Sequence, residues 1–161
     1  MTRIGLFAVL AVLAAGPVLG QASVGFGGLN HDTSLPVEVA SDQLQIDQAD
    51  GTAAFTGNVL ITQGEMRLSA GAVKVLYAAG NAGTISELRA SGGVTLVNGA
   101  EAAESNEAVY SIDKGTVVMT GDVILTQGGS ALTSNKLVID LNKGTGTMEG
   151  RVRTVFQPGA N

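Results

Sequence analysis

The sequence predicts an all-β fold, a folded-over antiparallel sheet, on three observations. From Pro36 to about Phe156, short runs rich in Val, Ile, Leu and Thr alternate with Gly, Asn and Asp turn signals. No segment sustains a helical period, and 23 glycines recur too closely for helices. The segment FTGNVLITQG at 55–64 returns as MTGDVILTQG at 119–128, an offset of 64 residues. Repetition of this kind marks a stack of similar units, each too small to bury its own apolar face.

Taken in order, the chain opens on Met1-Thr-Arg3 and an apolar run from Ile4 to Ala15, with small residues at Gly16, Gly20 and Ala22. One positive charge, a short apolar core and a small-residue end describe a secretory signal peptide over 1–22. The run falls short of the roughly 20 apolar residues a membrane span needs, so an uncleaved anchor is the weaker alternative. Cleavage fits after Ala22, or less well after Gly20. No cysteine is present, which excludes lipidation and any disulfide framework. Residues 23–35 are Gly- and Asn-rich without a period and read as a flexible lead-in. One domain follows over 36–157, then a short tail at 158–161. Asp50-Gly51, Asn98-Gly99, Lys114-Gly115 and Lys143-Gly144 punctuate it as hairpin turns, with further turns at Gln63-Gly64 and Gln127-Gly128-Gly129.

Weaker copies of the repeat appear as ASGGVTLVNG at 90–99 and MEGRVRTVFQPG at 148–159. All four share Gly-x-Val, with glycines at Gly57, Gly92, Gly121 and Gly150 spaced 35, 29 and 29 residues apart. A glycine recurring inside a strand pattern marks a bulge or bend, so each unit reads as a strand bent at that level, a turn, and a return strand. Alternation then separates two faces. Phe55, Val59 and Ile61 share the apolar phase, followed by Val94 and Leu96, by Val117, Met119, Val123 and Leu125, and by Val152 and Phe156. Thr56, Asn58 and Thr62, with Thr120, Asp122 and Thr126, hold the polar one. Medium aliphatics dominate the inner phase, and two such faces about 10 Å apart could close as a core or splay to admit acyl chains.

Catalytic chemistry has little to stand on. The one histidine, His31, lies in the lead-in, and no pairing of His with His or Glu suggests a metal site or cofactor. Asp47-Gln-Ala-Asp50-Gly51 lacks the remaining ligands of a calcium loop and reads as a solvated turn. Glu101, Glu104 and Glu107 read as a solvated loop rather than an acid/base pair. Losing Arg3 with the leader moves the formal charge from −5 to −6, which argues against nucleic acid. With few aromatics and no Trp, the chain lacks the girdles of a membrane barrel.

Pro36-Val37-Glu-Val39-Ala-Ser41-Asp42, the two Thr-Gly-Asn/Asp-Val copies with their Gln-Gly ends, and Ala103-Glu-Ser-Asn106-Glu-Ala108-x-Tyr110 closely resemble the LptA family (OstA-like domain) over roughly 36–157. The resemblance implies a periplasmic, non-enzymatic β-jellyroll with an open apolar groove that binds lipopolysaccharide by its lipid A acyl chains. Its lining would be Val37, Val39, Phe55, Val59, Ile61, Val94, Leu96, Val117, Met119, Val123, Leu125, Val152 and Phe156. It implies a bridge between membranes, with residues 36–41 meeting an LptC-like inner-membrane component. Residues 150–157 would meet an LptD-like outer-membrane component or the next copy, head to tail. Arg151 and Arg153 could face lipid phosphate; the preferred role is as gatekeepers of an edge strand. The competing reading is a secreted structural or adhesive β-solenoid with a dry core.

Overall fold

A computed structural model describes residues 22–25 and 32–155, and every regular element among them is a β-strand. In chain order these are β1 (Ala22–Gly25), β2 (Glu38–Ala40), β3 (Gln43–Asp47), β4 (Thr52–Gln63), β5 (Met66–Ala78) and β6 (Asn81–Asn98). They continue as β7 (Glu101–Ser111), β8 (Thr116–Gln127), β9 (Ser130–Asp140), β10 (Thr145–Glu149) and β11 (Arg153–Val155). Neighbours pair antiparallel from β4 through β10, as tight hairpins between consecutive strands demand.

One line of bulges divides every long strand in two. Register shifts fall between Thr56 and Val59, Ser69 and Ala72, Ser91 and Val94, Glu104 and Glu107, and Thr120 and Val123. Gly57, Gly92, Gly121 and Gly150 sit on this line at φ +77° to +82°, and the residue after each also has positive φ. The sheet folds over there into two leaves. The first leaf holds β3, β10 and the halves of the long strands around Phe55, Val73, Ala90, Ala108, Met119 and Leu137. The second holds β2, β11 and the halves around Ile61, Leu68, Leu96, Ala103, Leu125 and Leu132. Thus β2 and β3 are two arms of one terminal rung, bent at Ser41-Asp42, and β10 and β11 are two arms of the other. The space between the leaves is the core.

Three details depart from the sequence reading. Ala22 of the expected leader and 23–25 of the expected flexible lead-in form β1, which pairs with β10 through Ala22↔Met148 to Gly25↔Thr145, and the N–H of Leu35 bonds the Asp32 carbonyl at 3.2 Å. Glu101, Glu104 and Glu107 lie on β7 and not in a loop, because Ala103, Ala108 and Tyr110 between them supply the inner phase. The terminal arms are longer than 36–41 and 150–157 suggested, since alternation resumes in β3 and β10 beyond each bend. Asp47–Gly51 is a turn, with Asp47 Oδ1 accepting the N–H groups of Ala49 and Asp50 at 2.9 and 3.2 Å. The 1–21 part of the expected leader, His31, Phe156 and the tail lie outside the described residues.

Candidate functional site

The repeat decides what faces inward. A two-residue Gly-x corner keeps the alternation in phase, so Val59 and Ile61 point between the leaves as Phe55 does before them, whereas the single corner residue of β5, β7 and β9 shifts it by one. Val59, Ile61, Val94, Leu96, Val117, Met119, Val123 and Leu125 are all buried to within 2% of complete and share one apolar cluster. Val37, Val39 and Phe55 pack partly buried at the β2–β3 end, and Val152 does so at the β10–β11 end. Each fully buried Val, Leu or Met contributes about 1.5–3 kcal/mol, so this strip is the main source of stability in a chain without disulfides. Between the ends, side chains meet across the leaves. A void of about 10 Å³, the size of one water, lies among Leu96, Asn98, Glu101, Ala103, Leu125 and Ile139.

The interior is therefore a continuous aliphatic strip, closed along its middle and open at its first rung. Leu44 and Ile46 of β3 oppose Phe55 and Ala53 and so share the inward phase. Among the described residues no further rung covers them, and they stay 49% and 67% exposed. Beside them a cleft of about 620 Å³ opens between the 47–51 and 79–81 turns, with Ile46 and Tyr77 on its wall and Asp47 and Asp50 at its rim. The sequence reading missed both apolar residues. Their Gln-Leu-Gln-Ile-Asp alternation was the available signal, obscured by its shortness and the adjoining turn.

Polar side chains also point inward, and the repeat places them. Gln63 and Gln127 end the two TQ-G copies two residues past Ile61 and Leu125, hence on the inner phase. Buried Gln63 ties three elements together. Its Oε1 accepts the Tyr110 hydroxyl from the opposite leaf at 2.7 Å, and its Nε2 donates to the carbonyls of Thr33 and Leu35 at 3.0 and 2.8 Å. Gln127 donates to Glu101 Oε1 at 2.7 Å, and Glu101 Oε2 is buried with no hydrogen-bond partner. Among the described residues, no three His, Asp or Glu side chains are grouped to hold a metal.

Burial pushes the Tyr110 phenol up to about 12. Raised above the value near 10 of an unfolded chain, it favours folding fully below pH 10, and that contribution fades as pH climbs towards 12. About 2–3 kcal/mol should be lost across this window. Denaturant melts at pH 9 and 11.5 should differ by more in the wild type than in Tyr110→Phe.

The glycine line gives the site its shape. The Asp42 N–H donates to the Gly57 carbonyl at 2.9 Å and the Asn135 N–H to that of Gly150 at 2.9 Å. Asn58 Nδ2 donates to Asp42 Oδ2 at 2.8 Å, and Asn106 Nδ2 reaches Asp122 Oδ2 at 3.3 Å. An amide or carboxylate side chain thus covers Gly57, Gly121 and Gly150, and Gly71 approaches Gly92. Arg151 and Arg153 lie exposed beside Asp122, Ile124 and Thr133, with Arg153 on the outer face opposite Thr133.

Residues 38–145 match the family model described as LptA/(LptD N-terminal domain) LPS transport protein. An uncharacterized protein of Rhizobium meliloti is 33% identical over 118 residues, 69% of this chain and 63% of that protein. The lipopolysaccharide export system protein LptA of Escherichia coli K12 is 36% identical over 62 residues, 38% of this chain and 34% of that one. The chain thus spans less than two thirds of the length of these relatives. The crystal structure of LptH, the LptA-homologous periplasmic component of the lipopolysaccharide transport device of Pseudomonas aeruginosa, superposes with a TM-score of 0.69 at 19% identity. It covers 79% of this chain and 99% of LptH, a likeness of fold. With the family model spanning most of the chain, the protein belongs to the LptA/LptD N-terminal domain family of lipopolysaccharide transport proteins.

Proposed function

We propose that this protein is a periplasmic lipopolysaccharide carrier, delivered by a cleaved leader, that shelters acyl chains between its two leaves and passes them along a head-to-tail bridge between the membranes. Supporting this most directly is the aliphatic strip that runs the length of the sheet and surfaces at Leu44 and Ile46. An exposed CH₂ costs about 0.8 kcal/mol, so a dozen carbons cost on the order of 10 kcal/mol in water. A lining of near-identical Val, Ile, Leu and Met side chains, rung after rung, offers acyl chains similar free energy at each step, with no deep trap. Because side chains fill the middle, cargo enters by parting the leaves. The β2–β3 rung is the surface for an LptC-like component, by strand addition. The β10–β11 rung is the surface for an LptD-like component or the next copy.

Photo-crosslinkers at Val37, Val39, Phe55 or Met119 are expected to capture lipopolysaccharide, and those at Thr56 and Asp122 to stay dark. Equal labelling of both phases, or none at the inner one, contradicts the carrier. Depletion is expected to leave newly made lipopolysaccharide at the inner membrane. The completeness of burial at Val117, Met119, Val123 and Leu125 favours a second reading, a structural solenoid with a permanently dry core. That reading predicts no lipid adducts and an intact outer membrane on depletion.

A further inference from the structure

The glycine line obeys one pairing rule inside the chain. Each Gly-x corner is opposed by a single residue of the next strand: Gly57-Asn58 by Gly71, Gly92-Gly93 by Asn106, and Gly121-Asp122 by Asn135. The residue before the glycine pairs with the one after that single residue, as in Thr56↔Ala72, Ser91↔Glu107 and Thr120↔Lys136. The residue after the corner pairs with the one before it, as in Val59↔Ala70, Val94↔Ser105 and Val123↔Ser134. Gly150-Arg151 is the fourth corner, and among the described residues no next strand opposes it. Asp42 holds the complementary place, with Gly57 on one side and, among the described residues, no strand on the other.

Carried across two molecules, the rule sets a register. Glu149 meets Gln43 of a second copy, Val152 meets Ser41, Met148 meets Leu44 and Gly146 meets Ile46. The sense is antiparallel, as at every junction inside the sheet. Phases agree: inward residues meet inward residues, and Leu44 and Ile46 gain the cover they lack. Charges agree as well. Arg151 stands opposite Asp42, and Arg153 lies one diagonal from Glu38, on rungs whose other exposed ionic groups are Asp47 on one and the Lys136-bound Glu149 on the other.

This register identifies β1. Ala22, Ser23, Val24 and Gly25 pair with Met148, Thr147, Gly146 and Thr145. These are the β10 residues that the rule assigns to Leu44, Gln45, Ile46 and Asp47 of a second copy, in the same antiparallel sense. We infer that β1 is a self-cap that occupies the first-leaf arm of the terminal edge, and that a second copy joins by displacing it in the register fixed by Gly150-Arg151 and Asp42. The inference rests on the head-to-tail part of the reading above. A leader cut after Ala22 leaves Ser23, Val24 and Gly25 to pair. The cap is short, so it hides an edge prone to unwanted pairing yet yields to a rung that covers both arms.

The test is sedimentation of the full mature chain, without lipid, over a concentration series. Val24→Pro removes a backbone donor from β1 and is expected to join at about tenfold lower concentration. Arg151→Glu and Asp42→Arg alone each place like charges at the junction and are expected to raise that concentration about fivefold. Mixed in equal amounts, they restore an opposite pair at every alternating junction and wild-type joining returns. Thermal melts of each variant check that it folds. Chains that form but ignore all three substitutions, or a mixture that fails to recover, overturn the cap and the register while leaving head-to-tail joining in place. Absence of chains in every variant overturns the head-to-tail reading itself, whereas the lipid crosslinks above test the carrier independently.

Discussion

Gly121→Val is expected to destabilise the fold by about 3–5 kcal/mol, a large part of the 5–15 kcal/mol typical of a whole domain. At φ +82° a β-branched residue is strained by about 1–2 kcal/mol before any contact is counted. Its Cβ would then lie 2.7 Å from Asn106 Nδ2, which must swing aside, and 3.0 Å from Asn106 Cβ, so the neighbouring strand must give by a few tenths of an ångström. That shift disturbs the line on which both leaves fold, and Met119 and Val123, fully buried on either side, lose their packing. Gly128→Ala is the control. It too has positive φ, at +57°, but the space around it is open, so a loss of about 1 kcal/mol is expected. Urea unfolding of the two variants checks the contrast.

Gln63→Ala is expected to cost about 2–4 kcal/mol, the largest effect of any polar substitution in the interior. The Tyr110 hydroxyl loses its acceptor where water does not reach, and the carbonyls of Thr33 and Leu35 lose their donor. Tyr110→Phe should cost less, about 1–2 kcal/mol, because only one contact goes. Gln48→Ala, in an exposed turn, should leave stability unchanged. Hydrogen exchange at Leu35 separates the two interior variants: faster in Gln63→Ala, near wild type in Tyr110→Phe.

The sequence carried the architecture through repetition. Two near-copies at 55–64 and 119–128 placed the bends, and the alternation running unbroken through each glycine placed Val59, Ile61, Val123 and Leu125 on one phase. The inward polar residues were less legible. Gln63 looked like the flank of a turn, which it is, but its burial depends on Tyr110 reaching it from the other leaf, 47 residues away in sequence. Glu101 looked solvated among Ala and Ser because small neighbours do not reveal which phase a strand keeps. β3 was lost for a related reason, since five alternating residues beside a turn carry little periodic signal. The pairing of Ala22–Gly25 had no local signature at all. Only a topology that leaves β10 as an edge gives those residues a partner.

Passage of acyl chains, as proposed, requires the two leaves to part. Spin labels at Lys74 on the outer side of the first leaf and Glu104 on the outer side of the second report their separation by pulsed electron resonance. Added lipopolysaccharide should lengthen that distance beyond the roughly 10 Å spacing of closely packed sheets plus the reach of the labels. Adding the sugar portion alone should not. A distance that stays fixed while lipopolysaccharide is bound would contradict passage between the leaves.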